Sequence, residues 1–178
     1  MIRCYVTDRR GGDLLVFARR AIDDGVEMIQ IREKDLPARD LLDLTCKIRD
    51  LALGTKTQVL VNDRLDIALA ARINGVHLPA NGLPAARVRP FVPVLGVSTH
   101  SLEEAIAAEQ AGVDYVIFGP VFETPGKNAV GPETLRSVTA AVRIPVLAIG
   151  GMTSQNASMA MDAGAAGIAA IRMFQNRK

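Results

Sequence analysis

Apolar residues gather in eight short runs along the chain: Ile2–Thr7, Glu27–Arg32, Gln58–Asn62, Gly75–Leu78, Val94–Ser98, Tyr115–Gly119, Pro145–Gly150 and Gly167–Ile171. The runs are continuously apolar and do not alternate with polar residues. That is the pattern of strands in a parallel sheet covered on both faces. Between them lie longer stretches that read as helices. "SLEEAIAAEQAG" opens with a capping box, Ser101 to Glu104, and closes at Gly112. "LPARDLLDLTCKIRDLALG" has Pro37 in its first turn and Gly54 at its end. "DDGVEM", "QAGVDY" and "DAGAAG" repeat one device, in which a glycine ends a helix and an apolar strand begins.

Eight strands alternating with helices predict a single (β/α)8 TIM-barrel domain over residues 1–178. A doubly wound open sheet is the alternative, but it usually has fewer strands and a G-x-G-x-x-G turn, and the chain has no such turn. After "GIAAIRMF" only Gln175–Lys178 remain. That is too little to cover the eighth strand, so the barrel is expected to lack its last helix, with that flank covered by other means such as a homodimer partner.

Composition narrows the picture by exclusion. Formal net charge is +2, from 21 basic and 19 acidic residues, and there is no Trp. Neither a basic face nor a stacking platform for nucleic acid is visible, and pairs such as Arg9-Arg10 and Arg19-Arg20 read as solvated faces. Cys4 and Cys46 have no metal or C-x-x-C spacing and read as buried, reduced thiols. No apolar run is long enough to span a bilayer, and "MIRCYVTDRR" has no signal-peptide core. A cytoplasmic protein with no membrane partner is expected.

In such a barrel, chemistry sits on the loops after the carboxyl ends of the strands. Polar residues there include Gln30, Arg32 and Lys34 after the second strand, and Asn62 and Asp63 after the third. Ser98 and His100 follow the fifth, Thr124 and Lys127 the sixth, Gly150 and Gly151 the seventh, and Arg172 the eighth. The cations Arg32, Lys34 and Lys127, with amide and hydroxyl donors, describe a pocket for phosphorylated anions. Arg32 and Lys34 are two apart, so they face one side. In "IGGMTS" two glycines let the backbone approach a ligand, and a following helix N-terminus would offer free N–H groups. Asp63 among those cations suits a Mg2+ ligand, with a helix N-cap for "RLDIALAARI" as the competing role. His77, in "GVHL", reads as a hydrogen-bonded structural histidine, and His100 as a residue that shapes its loop. Asp8, Glu33 and Arg64 could pair with one another to tie the rim. The loop "FGPVFETPGKNAVGP" poses a question of its own, because it leaves a buried strand to place one lysine, Lys127, behind Gly126.

The blocks "IQIREKDL", "VNDRLDIALAA", "GVHL", "GVSTHSLEEAIAAEQAGVDYVIFGPVFET", "IPVLAIGG" and "AGAAGIAAI" resemble thiamine phosphate synthase and its relatives, the thiazole tautomerases. The resemblance runs from Tyr5 to about Ile171. It implies a (β/α)8 barrel and, in the synthases, a Mg2+-dependent transferase of thiamine biosynthesis. That enzyme joins hydroxymethylpyrimidine diphosphate to thiazole phosphate and releases diphosphate. By resemblance Gln30, Arg32, Lys34, Asn62 and Lys127 would hold the pyrimidine substrate and its diphosphate. Asp63 would ligate Mg2+. Ser98 would contact the diphosphate or the pyrimidine, Thr124 the thiazole phosphate or its surroundings, and Gly150 and Gly151 the thiazole phosphate. Catalytic roles fall on Arg32, Lys34, Ser98 and Lys127.

Some positions depart from the synthase pattern. After the fourth strand the synthases read like "G-Q-x-D-L-P", with the aspartate a second Mg2+ ligand, whereas this chain has "PANGLP" with Gly82 in its place. "T-x-T-K" becomes Thr124-Pro125-Gly126-Lys127, and a Ser-Ala-like pair becomes Arg172-Met173, so Arg172 would bind phosphate through its side chain. The "PANGLP" segment is closer to the tautomerases, yet Pro120 stands where they carry a proton-transferring histidine. Synthase is the expected activity. A thiazole tautomerase, or a non-catalytic binder of phosphorylated ligands, is the alternative.

Overall fold

The computed structural model describes residues 1–175. The eight runs form strands β1 (Ile2–Val6), β2 (Met28–Ile31), β3 (Gln58–Asn62), β4 (Gly75–Leu78), β5 (Val94–Thr99), β6 (Tyr115–Phe118), β7 (Val146–Ala148) and β8 (Gly167–Ala170). All neighbours are parallel, and the sheet closes in chain order when β8 pairs with β1, setting Ile2 beside Gly167. The helices are α1 (Leu14–Asp23), α2 (Ala38–Ala52), α3 (Leu65–Ala71), α4 (Ala85–Val88), α5 (Leu102–Gln110), α6 (Gly131–Ala141), α7 (Ala157–Asp162) and α8 (Arg172–Gln175).

Closure explains the continuous apolarity of the strands. Cys4, Val6, Met28, Leu60, Tyr115, Ile117, Leu147 and Ala169 form one buried cluster inside the barrel. Alternate residues such as Tyr5, Ile29, Val59 and Val116 face outward and pack with helix residues Ala18, Ile48 and Leu135 in a second cluster. Successive strand residues point to opposite faces, and both faces are dry, so both must be apolar. Each large side chain buried this way contributes roughly 1.5–3 kcal/mol.

The last helix is present, against expectation. One turn suffices because its contacts are concentrated. Phe174 is buried, and its ring lies 5.6 Å from that of Tyr5. The Gln175 amide donates to the Tyr5 hydroxyl at 3.1 Å and to the Asp8 carbonyl at 2.8 Å. The chain itself therefore covers that flank with its own last helix. Residues 176–178 of the Gln175–Lys178 tail lie outside the described residues.

Two further readings need adjustment. In the capping box of α5 the Ser101 hydroxyl accepts from the Glu104 N–H at 3.2 Å, but Glu104 reaches back to the His100 N–H, not that of Ser101. Cys4 is buried while Cys46 is half-buried, and both are free thiols. Burial pushes the Cys4 thiol up to about 12. No described helix is long and apolar enough to cross a membrane.

Candidate active site

The carboxyl ends of the strands surround one cavity of about 1080 Å3. A single small-molecule site usually occupies roughly 300–1,000 Å3, so this cavity is at the large end of that range. Of the residues expected at the site, Gln30, Arg32, Lys34, Asn62 and Ser98 line it on one side. Thr124, Lys127, Gly150, Gly151 and Arg172 line it on the other. Arg32, Lys34, Lys127 and Arg172 face one carboxylate in the lining, Glu123. None of the four cations forms an ion pair among the described residues. Uncompensated positive charge in a concave, partly dry wall focuses potential on an anion.

The end of β2 is held by a clasp. Glu33 is buried, and its carboxylate accepts from the Thr7 hydroxyl at 2.6 Å and from the Arg9 N–H at 3.2 Å. The Thr7 oxygen in turn accepts from the Arg32 N–H at 2.9 Å. Arg32 and Lys34 flank Glu33, so anchoring the middle residue fixes the backbone from which both cations project. Asp8, Glu33 and Arg64 do tie the rim, but not to one another. Asp8 pairs with Arg10, Glu33 with Arg9, and Arg64 with Asp66. The Asp8–Arg10 and Arg64–Asp66 pairs are local, two residues apart, whereas Glu33 reaches Arg9 across 24 positions because β1 lies beside β2. Arg9 also holds Asp35, whose carboxyl drops to about 2 beside it.

The loop after β6 contains a tight turn. Lys127 N–H donates to the Thr124 carbonyl at 3.0 Å, closing Thr124-Pro125-Gly126-Lys127. Pro125 suits the second position of a type II turn, and Gly126, at φ +77°, supplies the positive angle that the third position requires. Thr124 spends its hydroxyl on the Phe122 carbonyl at 3.1 Å. The turn thus presents Lys127 at the cavity.

Gly150 and Gly151 bring the loop after β7 against that segment. A Cβ on Gly150 would collide with Pro120, and one on Gly151 would lie 2.5 Å from the Glu123 carbonyl oxygen. The expected helix N-terminus does not follow directly. α7 starts only at Ala157, after a turn in which the Asn156 carboxamide accepts from the Thr153 N–H and donates to the Gly151 carbonyl. Thr153 and Ser154 also line the cavity and were missed by inspection of the sequence. Their position in "GGMTS", two and three residues past the glycines, was the available signal.

His77 does more than brace the core. It is fully buried, with Nε2 2.8 Å from the Ser98 hydroxyl and Nδ1 3.1 Å from the Tyr115 hydroxyl. Burial, aided by the Arg32 charge, lowers its pKa to about 3, so the ring is neutral. His100 also lines the cavity. Its Nδ1 lies 2.6 Å from the Gly119 carbonyl, which can only accept, so Nδ1 carries a proton.

Asp63 lies one compartment away. It lines a smaller cavity of about 350 Å3 that shares Lys34, Asn62, Pro79 and Asn81 with the main one. It does not cap α3, where Arg64 holds the N-cap position without a side-chain bond. Asp63 instead adopts φ +64° and leaves its carboxylate exposed.

A barrel with cations and paired glycines around one mouth is shared by many enzymes. The sequence profile described as thiamine monophosphate synthase matches residues 4–174. The chain belongs to that family. A Geobacter sulfurreducens protein is 45% identical over 176 residues, covering 93% of this chain and 83% of its own. The thiamine-phosphate synthase of Chlorobium limicola is 42% identical over 175 residues, covering 94% and 83%. Among solved structures, thiamine phosphate pyrophosphorylase from Pyrococcus furiosus superposes with a TM-score of 0.93 at 34% identity, covering 99% of this chain and 88% of that one.

Membership of the thiamine monophosphate synthase family gives the departures their meaning. A Cβ at Gly82 would lie 3.0 Å from the Asp63 carboxylate and 2.9 Å from Pro79, so Gly82 and Asp63 are spatial neighbours. No cluster of three or more acidic, His or Cys groups suited to a metal exists among the described residues. Pro120 lines the cavity and carries no titratable group.

Proposed function

We propose that the chain is a thiamine-phosphate synthase, a transferase joining hydroxymethylpyrimidine diphosphate to thiazole phosphate. The observation that carries this reading is the quartet Arg32, Lys34, Lys127 and Arg172, without an ion pair among the described residues, around one large cavity. The bond between the pyrimidine methylene carbon and the diphosphate oxygen breaks, and the electron pair leaves with diphosphate. The thiazole ring nitrogen then supplies the pair for the new C–N bond. No side chain has to attack or abstract a proton. Catalysis therefore rests on positioning and on stabilising the departing anion.

Arg32, Lys34 and Lys127 hold the diphosphate, and Gln30 and Asn62, joined by a 3.2 Å hydrogen bond, present the pyrimidine subsite. Ser98 donates to an anionic oxygen. Gly150 and Gly151 bring backbone N–H groups to the thiazole phosphate, with Thr124 and Arg172 beside it. Asp63 is the carboxylate that would hold a Mg2+ ion, since Mg2+ often uses one or two carboxylates, and such an ion would supply positive charge to the leaving diphosphate.

One observation favours a second reaction as a control. Among the described residues His100 is the histidine that lines the cavity, and a thiazole tautomerisation would need a proton-transferring group in place of Pro120. Incubation with both phosphorylated substrates and Mg2+ separates the two. Equal amounts of thiamine phosphate and diphosphate are expected. If neither forms beside an active synthase, the proposal is lost, and isomerised thiazole phosphate in the same sample would give the activity to His100.

A further inference from the structure

We infer that Tyr115 and His77 are positioning residues that lock the Ser98 hydroxyl as a hydrogen-bond donor toward the cavity. The argument is one of counting hydrogens. The Tyr115 side chain is buried inside the barrel, and its hydroxyl has one hydrogen-bond partner among the described residues, His77 Nδ1 at 3.1 Å. Gly96 makes this arrangement possible, because any Cβ there would fall inside the Tyr115 ring. The neutral imidazole has one donor nitrogen and one acceptor nitrogen.

Two tautomers are available. If Nδ1 carried the proton, it would donate to the Tyr115 oxygen, and the phenolic hydrogen would be left buried without an acceptor. Ser98 would then donate to Nε2 and turn its hydrogen away from the cavity. If Nε2 carries the proton, Tyr115 donates to Nδ1 and Nε2 donates to Ser98 Oγ at 2.8 Å. Every buried hydrogen is then used. The one hydrogen left over belongs to Ser98, which lines the cavity and can meet a ligand there. The cost of stranding a buried hydroxyl favours the second tautomer by roughly ten- to a hundredfold. Ser98 is thereby fixed as a donor to an anionic oxygen before any ligand arrives, and no serine rotor has to be reset on binding.

The choice of diphosphate as ligand rests on the synthase reading, whereas the tautomer does not, so the two can fail separately. In 15N-labelled protein, long-range 1H–15N correlation of the two histidines, told apart with a His100→Asn variant, reads the tautomer directly. Protonation of His77 at Nε2 is expected, and protonation at Nδ1 overturns the inference. Titration with inorganic diphosphate then compares wild type with Tyr115→Phe. Without the phenol the lock is released, Ser98 can donate to Nε2, and affinity should fall several-fold while Lys127 and Arg32 are untouched. Unchanged affinity together with an unchanged His77 spectrum also overturns the inference. Should Tyr115→Phe not fold, the wild-type spectrum still decides. Should wild type not bind diphosphate at all, the synthase reading falls and the spectrum again decides this inference.

Discussion

Acid should destabilise this protein earlier than its carboxylates alone would dictate, and the cause is His77. An unfolded histidine titrates near 6.5, whereas burial holds His77 at about 3 in the folded chain. Between those values the unfolded state binds the extra proton, so stability rises with pH across the window and is lost as pH falls through it. From pH 7 to pH 5 the loss is about 2 kcal/mol, at 1.36 kcal/mol for each unit below 6.5. For a chain of this length that lowers Tm by about 4–8 °C. Asp35 and Asp66, held low by Arg9 and Arg64, lose their contributions only at lower pH, below the ordinary carboxylate range. The interval from pH 6.5 to 5 therefore separates His77 from those two carboxylates. Thermal unfolding followed by circular dichroism at pH 7 and pH 5 is the assay, with His77→Gln alongside. The variant should start lower, having lost packing, but fall less on acidification. A wild-type Tm that does not move, or an equal fall in both proteins, would refute the reasoning.

Lys127→Ala should weaken diphosphate binding roughly ten- to a hundredfold, the worth of one or two charge-assisted hydrogen bonds, with Tm unchanged because the side chain is exposed. Calorimetric titration checks this, and equal affinities would remove Lys127 from the site. Gly126→Ala has open space for its Cβ but a φ of +77°, so it should cost about 1 kcal/mol through the backbone alone and also displace Lys127. Gly82→Asp sets a second carboxylate beside Asp63, so Mg2+ should raise the Tm of the variant more than that of wild type; equal shifts would argue against a cation at Asp63. Phe174→Ala should cost about 3–5 kcal/mol, since its ring covers Tyr5 at the barrel seam, and denaturant unfolding would measure the loss.

The barrel could be read from sequence because its determinants are local. Strands buried on both faces must be apolar throughout, and a glycine after each helix marks the return to the sheet. The run Gly75–Leu78 matched residue for residue. Most of the site was legible for the same reason. In a barrel of parallel strands every carboxyl end reaches one rim, so Gln30, Arg32, Lys34, Asn62, Ser98 and Lys127 could be grouped without knowing a single distance. What escaped was pairing across long separations, which only closure and register determine. Ser98 meets His77 and His77 meets Tyr115 because β4 lies beside β5, and β5 beside β6, with the residue between His77 and Tyr115 in register reduced to Gly96. Gln175 could secure the last strand only once closure had brought Tyr5 and Asp8 to it. Asp63 was expected as a Mg2+ ligand with a helix cap as the competing role, and its left-handed backbone removes the cap and sets the residue beside Gly82. Sequence determined which elements form and which ends carry charge. Tertiary structure alone decided which polar atoms share a proton, because that depends on contacts between residues tens of positions apart.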